Sequence, residues 1–334
     1  MAKRLVLGVL FGVLVYTGIV LWIDLDNLRA ALEGLSWWAV PAAMGLSLTN
    51  YLIRFLKWER YRRLLAIDLP TGTSFLVYLS GFSMGVTPGK MGEVLKSWMI
   101  KKVNGVRIHK SAPIVVAERF TDVTGYLILV ALGGIGSHPD LAWVFWTTLL
   151  LCLIALFLIG SERFERGLVT FLRRVPALKR VAVKVEGSFA STRVLLAPRE
   201  VIGPTLLSVV SWGAECFGFY LVANAFLPQA EQVSLHFAVF AYAISALLGA
   251  VAIFVPGGLG VTEWSLGALL RREYQSVAGF GLEVARSKAV GAVLLIRFAT
   301  LWFGVFVGLG ALGVFQRRFG HVDVGREEVE ERTA

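Results

Sequence analysis

Cysteine, histidine and charge are scarce in this sequence, and each scarcity removes a class of function. The 334 residues contain 2 Cys and 4 His. Cys152 and Cys216 each stand alone in an apolar run, which excludes a disulfide framework and gives redox chemistry no footing. His109, His138, His236 and His321 are scattered without partners at ligand spacing, so metal catalysis has no support and no cofactor is implied. No nucleotide-binding motif is present, and direct ATP hydrolysis is not expected. Only 17% of the residues are charged against 56% hydrophobic, which lies outside the range of a water-soluble domain. The net charge of +10 raises the question of nucleic acid, but the bases lie in short loops beside apolar runs and no RNA- or DNA-binding motif accompanies them. Membrane orientation and contact with lipid phosphate account for them instead.

What the sequence has in quantity is apolar runs near the roughly 18 to 20 residues that cross the hydrocarbon layer as a helix. They predict spans at Leu5–Ile23, Trp37–Phe55, Ala112–Ile135, Leu141–Gly160, Val201–Phe226 and Lys288–Phe315. The first run is longer than a signal-peptide core and lacks an Ala-x-Ala cleavage pattern, so it is expected to be retained. The expected fold is an all-α integral membrane protein with about six transmembrane helices, forming one polytopic domain over residues 1–320.

Two more apolar stretches fit poorly as simple crossings. Thr73–Val86 is too short, runs into Thr87-Pro88-Gly89, and continues through Gly92 and Glu93 to Lys101. His236–Val255 runs into Pro256-Gly257-Gly258, and after Gly260 the stretch Val261–Leu270 is again too short. Backbone that leaves the helix at membrane depth must be shielded by protein or line a wet cavity, so each Pro-Gly break predicts a re-entrant hairpin.

Loop charges orient the chain. Lys3 and Arg4 favour a cytoplasmic N-terminus in the cell membrane, and Asp24, Asp26 and Glu33 suit the outside. Arg54, Lys57, Arg60, Arg62 and Arg63 precede the first broken segment and Lys101, Lys102, Arg107 and Lys110 follow it, so both its ends read as cytoplasmic. Residues 136–140 and 227–235 contain no Lys or Arg and fit the outside, whereas the Arg-rich stretch 161–200 fits the cytoplasm. Arg271, Arg272, Arg286 and Lys288 resist the outward placement this plan gives them, and a seventh crossing with an external C-terminus is the alternative.

The order helix, helix, Pro-Gly hairpin, helix occurs twice, in halves 1–140 and 141–316. Three crossings per half reverse the second, which is the inverted-repeat plan of secondary transporters, with paired broken segments marking the substrate site. Between the halves, Phe164, Leu168, Phe171, Leu172 and Val175 follow helical spacing among arginines, as in an amphipathic helix at an anionic leaflet or a helix linking the halves. The acidic tail 321–334 is expected to be disordered.

Ionisable groups inside a bilayer are costly unless paired or hydrated, so their positions are the best functional clue. Glu118 and Asp122 share a helix face at i,i+4, and Arg119 lies three residues from Asp122, as either a structural ion pair or part of a site. A helix starting after Pro88 aims its free N–H groups at an anion, with Lys90 adding charge, unless Lys90 and Lys96 merely snorkel to the interface. Glu215, Glu263 and Arg297 complete the set: Arg297 needs a partner, with Glu215 and Glu263 as candidates. Asn50 and Arg54, one turn apart, either join this polar surface or mark a helix end.

Thr87-Pro88-Gly89-Lys90-Met91-Gly92-Glu93, Glu118-Arg119-Phe120-Thr121-Asp122, Val255-Pro256-Gly257-Gly258-Leu259-Gly260-Val261-Thr262-Glu263 and Arg297 resemble, in order, the signatures of the flippase-like membrane domain of lysylphosphatidylglycerol synthases. The resemblance covers nearly the whole chain. It implies the translocating module without the soluble synthase domain, and so a transporter rather than an enzyme. The implied partners are membrane lipids with phosphate-bearing headgroups, anionic, aminoacylated or prenyl-linked, and a separate lipid synthase or glycosyltransferase. Lys90, Arg119 and Arg297 are expected to contact phosphate. Glu93, Glu118, Asp122, Glu215 and Glu263 are expected to balance these bases, with one available for a coupling proton or a cationic headgroup. The rival classes are an integral-membrane transferase using a lipid-phosphate donor and a non-transporting scaffold for a glycosyltransferase.

Overall fold

The computed structural model describes residues 35–86, 92–175, 178–251 and 258–320, with Gly18, Arg29 and residues 31–33 besides. The expected span Leu5–Ile23, the turn residues Pro88, Gly89, Lys90, Pro256 and Gly257, and the tail 321–334 lie outside these bounds, Gly18 excepted. Regular structure among the described residues is entirely helical. Helix α1 spans Ala39–Leu64, and α2 (Thr71–Ser80) tightens into a 3-10 turn at Gly81–Met84 before α3 (Gly92–Asn104). A one-turn helix, Ile108–Ser111, leads into α4 (Pro113–Leu132), which is followed by α5 (Ala142–Gly160), α6 (Glu162–Arg174) and α7 (Lys179–Leu195). Next come α8 (Pro198–Asn224), α9 (Leu235–Val251) and α10 (Val261–Val277). Helix α11 (Leu282–Arg297) passes through a π-turn at Phe298–Trp302 into α12 (Phe303–Phe319).

Three stretches among the described residues are long and apolar enough to cross a membrane: Pro139–Gly160, Pro198–Asn224 and Leu282–Phe319. Helices α1 and α4, at 26 and 20 residues, have the length for a hydrocarbon layer of about 30 Å but carry more charge. Much of that charge points inward, with Arg54, Lys57, Glu59, Arg62, Glu118 and Asp122 buried. Leu48, Leu52 and Leu56 form an exposed stripe on α1, while Ser47, Asn50, Arg54 and Lys57 on its other side are buried. Helix α8 repeats the arrangement, with Ile202, Leu206 and Val210 exposed and Ser208, Ser211 and Glu215 buried. An apolar exterior around a polar interior inverts the pattern of a helix in water and is what lipid requires.

Packing interleaves the two halves of the chain. Helices α1 and α8 share the largest interface. Helices α2 and α3 touch each other and α2 lies along α12, whereas α9 and α10 touch each other and α9 lies along α4. Each broken helix pair thus packs on the final helix of the other half. The close approaches depend on glycine: a Cβ at Gly308 would overlap the Ser83 backbone, and one at Gly133 would overlap the backbone of Phe240.

Several sequence-based boundaries need correction. Helix α1 does not end at Phe55 but continues to Leu64, and Arg54, Lys57 and Arg62, read as loop bases, are buried within it. Each has an acid partner, since Arg54 and Lys57 reach Asp122 and Arg62 grips Glu59 at 3.0 and 2.7 Å. Pairing lets the helix run on where unpaired bases would have ended it. Helix α10 runs to Val277 rather than Leu270, and the last span begins at Leu282 rather than Lys288 and ends at Phe319. The stretch 161–200 holds two helices, with α7 folded back on α6 through Arg173–Glu186 (2.7 Å) and Arg193–Glu165 (2.6 Å). Val169 of α6 is buried while Phe164 and Phe171 stay exposed.

Candidate functional site

Helix α4 crosses α1 and α8 so that Asp122 meets three basic side chains. Lys57 Nζ donates to Asp122 Oδ1 at 2.5 Å, Arg54 Nη2 donates to Oδ2 at 3.2 Å, and Arg119 Nη1 stands 3.6 Å from Oδ2. Ser208 Oγ, on α8, donates to Asp122 Oδ1 at 3.1 Å and accepts from Lys57 Nζ at 2.8 Å. The expected Arg119–Asp122 contact exists, but it is the longest of the three. Arg119 is also the most open, with its side chain 33% exposed against 0% for Lys57.

One turn before Asp122, Glu118 accepts from Lys96 Nζ of α3 at 2.5 Å. Lys96 does not snorkel to an interface: it is buried, with its ammonium 4.6 Å from the centroid of the Trp58 ring. Glu118 Oε1 is buried with no hydrogen-bond partner among the described residues.

A second ion pair forms beside the second break. Gly258 and Gly260 hold φ of +69° and +89°, the left-handed region open to glycine, and turn the chain into α10. The Gly260 N–H donates to Glu263 Oε2 at 2.6 Å, so Glu263 satisfies a free amide at the start of α10. Its other oxygen, Oε1, accepts from Arg297 Nε at 2.7 Å. Of the two candidate partners of Arg297, Glu263 is thus the one in contact. The alternative candidate, Glu215, accepts from the Tyr242 hydroxyl at 2.7 Å and has no Lys or Arg within 4.0 Å among the described residues. Directly after Arg297 the π-turn frees backbone groups, and Tyr51 donates to the Thr300 carbonyl at 2.8 Å.

These groups surround one cavity of about 220 Å³. Arg54, Lys96, Arg119 and Arg297 line it together with Asp122 and Glu215, among Tyr51, Tyr78, Tyr126, Tyr242 and Trp212. Lys57, Glu118 and Glu263 stand directly behind as ion partners. Among the described residues the count is five basic groups against four carboxylates. Trp212 adds a buried indole N–H without a hydrogen-bond partner among the described residues, with the Arg54 guanidinium 4.9 Å from its ring.

Described residues flanking both breaks reach this cavity. Met84 and Gly85 line it from the first, and Gly249, Ala250 and Thr262 from the second. Val86 and Leu259 then pack in one small cluster with Val305. Pro88, Gly89, Lys90, Pro256 and Gly257 fall outside the described residues, as does the side chain of Glu93, although Gly92 and Glu93 begin α3. Sequence reasoning missed Lys57 and Ser208 and assigned Lys96 no role. Lys57 had a readable signal, because Asn50, Arg54 and Lys57 at i, i+4 and i+7 lie on one helix face. No group of three or more His, Cys, Asp or Glu suited to a metal ion occurs among the described residues.

Residues 9–308 match the family model described as the lysylphosphatidylglycerol synthase TM region, a span that contains every residue lining the cavity. Two proteins of Methanothermobacter thermautotrophicus, each named UPF0104 membrane protein, are similar over most of their length. One is 24% identical over 278 residues, covering 77% of this chain and 80% of its own. The other is 23% identical over 331 residues, covering 92% and 94%.

Proposed function

The chain belongs to the family of the lysylphosphatidylglycerol synthase transmembrane region, and from that premise we propose that it is a lipid translocase, or flippase, moving a phosphate-bearing lipid between leaflets of the cell membrane. The observation that carries this reading is the gathering of Arg54, Lys96, Arg119 and Arg297 on one central cavity. Such a convergence of bases at membrane depth suits an anionic ligand, and a phosphate can take charge-assisted hydrogen bonds from several of them at once. Arg119, with the longest contact and the most exposed side chain, turns from Asp122 to the ligand, and Arg297 faces it from the other half of the chain. At about 220 Å³ the cavity is smaller than the roughly 300 to 1,000 Å³ of sites that enclose drug-sized ligands. It accommodates a headgroup while the acyl or prenyl chains stay in the bilayer.

Substrates of this class are anionic or aminoacylated phospholipids and prenyl-phosphate-linked lipids, supplied or consumed by a separate synthase or glycosyltransferase. The interleaved packing of the broken helix pairs supports an inverted repeat of re-entrant hairpins, which gives the cavity access to each side in turn. The N-terminus is then cytoplasmic, and the protein performs no covalent step of its own. One observation favours a transferase instead: Glu215 and Tyr242 form a buried carboxylate–hydroxyl pair at 2.7 Å on the cavity wall.

Liposomes containing the purified protein and labelled phosphatidylglycerol, lysylated phosphatidylglycerol or a prenyl phosphate separate these readings. A translocase equilibrates at least one label between leaflets with the lipid recovered unchanged. Folded protein that exchanges none of them, or that returns a chemically altered lipid, refutes the proposal.

A further inference from the structure

Four carboxylates stand in or behind the central cavity, and Glu215 differs from the other three. Glu118 is held by Lys96 at 2.5 Å, Asp122 by Lys57 at 2.5 Å and Glu263 by Arg297 at 2.7 Å. Glu215 is buried as they are, at 5% exposure, and lines the cavity from α8 without a Lys or Arg within 4.0 Å among the described residues. Its Oε2 accepts from the Tyr242 hydroxyl at 2.7 Å, and its Oε1 makes no hydrogen bond among the described residues. Every helix that meets it at the cavity presents an ionisable group. Tyr51 and Arg54 of α1, Asp122 and Tyr126 of α4, and Tyr242 of α9 act on it through space. Arg297 of α11 does so too, and Cys216 stands beside it on α8. Tyr78, Lys96 and Arg119 complete the ionisable lining among the described residues. Arg54 contacts Asp122 and Arg297 contacts Glu263, and neither bridges to Glu215. A carboxylate charge at membrane depth needs a counter-ion or a proton, and Glu215 has no counter-ion in contact.

We propose that Glu215 is the proton site of a proton–lipid cotransporter: Oε1 takes a proton from water as the lipid phosphate enters the cavity and returns it to water on the other side once the phosphate has left. Charge dictates the pairing. An ionised Glu215 and a phosphate facing one cavity of about 220 Å³ repel each other, whereas the protonated acid removes that repulsion and offers an O–H to a phosphate oxygen. By linkage, the phosphate raises the affinity for the proton by the factor by which the proton raises the affinity for phosphate, so the two load and leave together. Tyr242 keeps its bond throughout, because Oε2 remains an acceptor when the proton sits on Oε1. The other three carboxylates are unsuited to the task. Protonating Asp122, Glu118 or Glu263 would loosen an ion pair that joins α4 to α1, α4 to α3 or α10 to α11. Arginine holds its charge at any pH the protein survives, so the bases facing Glu215 from α1 and α11 do not titrate in its place.

Cotransport rests on the translocase reading, while proton binding is measured apart from transfer. Full-length protein in neutral detergent and weak buffer is titrated with phosphatidylglycerol, whose phosphodiester exchanges no proton near neutral pH, and affinity and proton uptake are read together. Binding is expected to be tightest on the acid side and to weaken at least roughly tenfold from about pH 5 to about pH 9. Each lipid bound takes up as much as about one proton within that range. Glu215→Gln abolishes both the uptake and the pH dependence. Tyr242→Phe retains the uptake but moves its midpoint by at least about one pH unit, the size expected for losing one hydrogen bond to a charged group, and so tests the site even where the glutamine variant does not fold. Native binding that is flat with pH, uptake that persists in folded Glu215→Gln, or an unmoved midpoint in Tyr242→Phe overturns the site. In liposomes under an imposed pH gradient, labelled phosphatidylglycerol collects in the leaflet facing the alkaline side, and exchange that ends in equal distribution overturns cotransport. Proton-linked binding without leaflet exchange leaves the site standing and removes the translocase reading. Exchange with pH-independent binding does the reverse.

Discussion

Asp122 is the residue on which the interior depends. It answers Lys57 at 2.5 Å, Arg54 at 3.2 Å and Arg119 at 3.6 Å. Asp122→Asn removes the carboxylate on which these bases converge and is expected to destabilise the protein by about 3 to 5 kcal/mol, read as a large drop in Tm in detergent. Arg119→Gln removes a long contact made by a partly exposed side chain and is expected to cost under about 1 kcal/mol of stability while slowing lipid exchange at least roughly tenfold. The two variants separate a structural charge from a ligand-facing one. The sequence made Arg119, Asp122, Glu215 and Arg297 visible because each interrupts an apolar run, and the structure brings these four to one cavity. It hid Lys57, because a lysine among Arg54, Arg60, Arg62 and Arg63 looks like loop charge until its acid partner on another helix is known.

Elements meet here through glycine rather than through large side chains. Helix α12 reaches the 3-10 turn after α2 only because Gly308 has no Cβ, whereas nearby Gly310 faces open space. Gly308→Ala is therefore expected to lower stability by about 1 to 3 kcal/mol through forced separation of the helices, with Gly310→Ala near neutral, both read as Tm. Helix existence was legible from apolar periodicity. Helix ends were not: α1 runs past Phe55 through Lys57, which pairs across to Asp122, and α10 runs past Leu270 through Arg271 and Arg272. The π-turn after Arg297 has no sequence signature. It becomes visible only where Tyr51 binds the Thr300 carbonyl.

At the scale of the whole molecule, two helix–break–helix segments from opposite halves flank one positively charged space, each packed on the final helix of the other half. That symmetry predicts opposite sidedness for the two pairs. In a chain with Cys152 and Cys216 replaced, Gln275→Cys is expected to react with an impermeant maleimide from outside the cell and Arg318→Cys only from the cytoplasm. Labelling of both positions from the same side contradicts the inverted plan. The central claim is that the cavity's basic side chains hold lipid phosphate during transfer. Leaflet exchange of labelled phospholipid in liposomes, compared between the native chain and Arg119→Gln/Arg297→Gln at matched folded fraction, tests it most directly. The account predicts exchange by the native protein and its near-complete loss in the double variant, and undiminished exchange by that variant would contradict it.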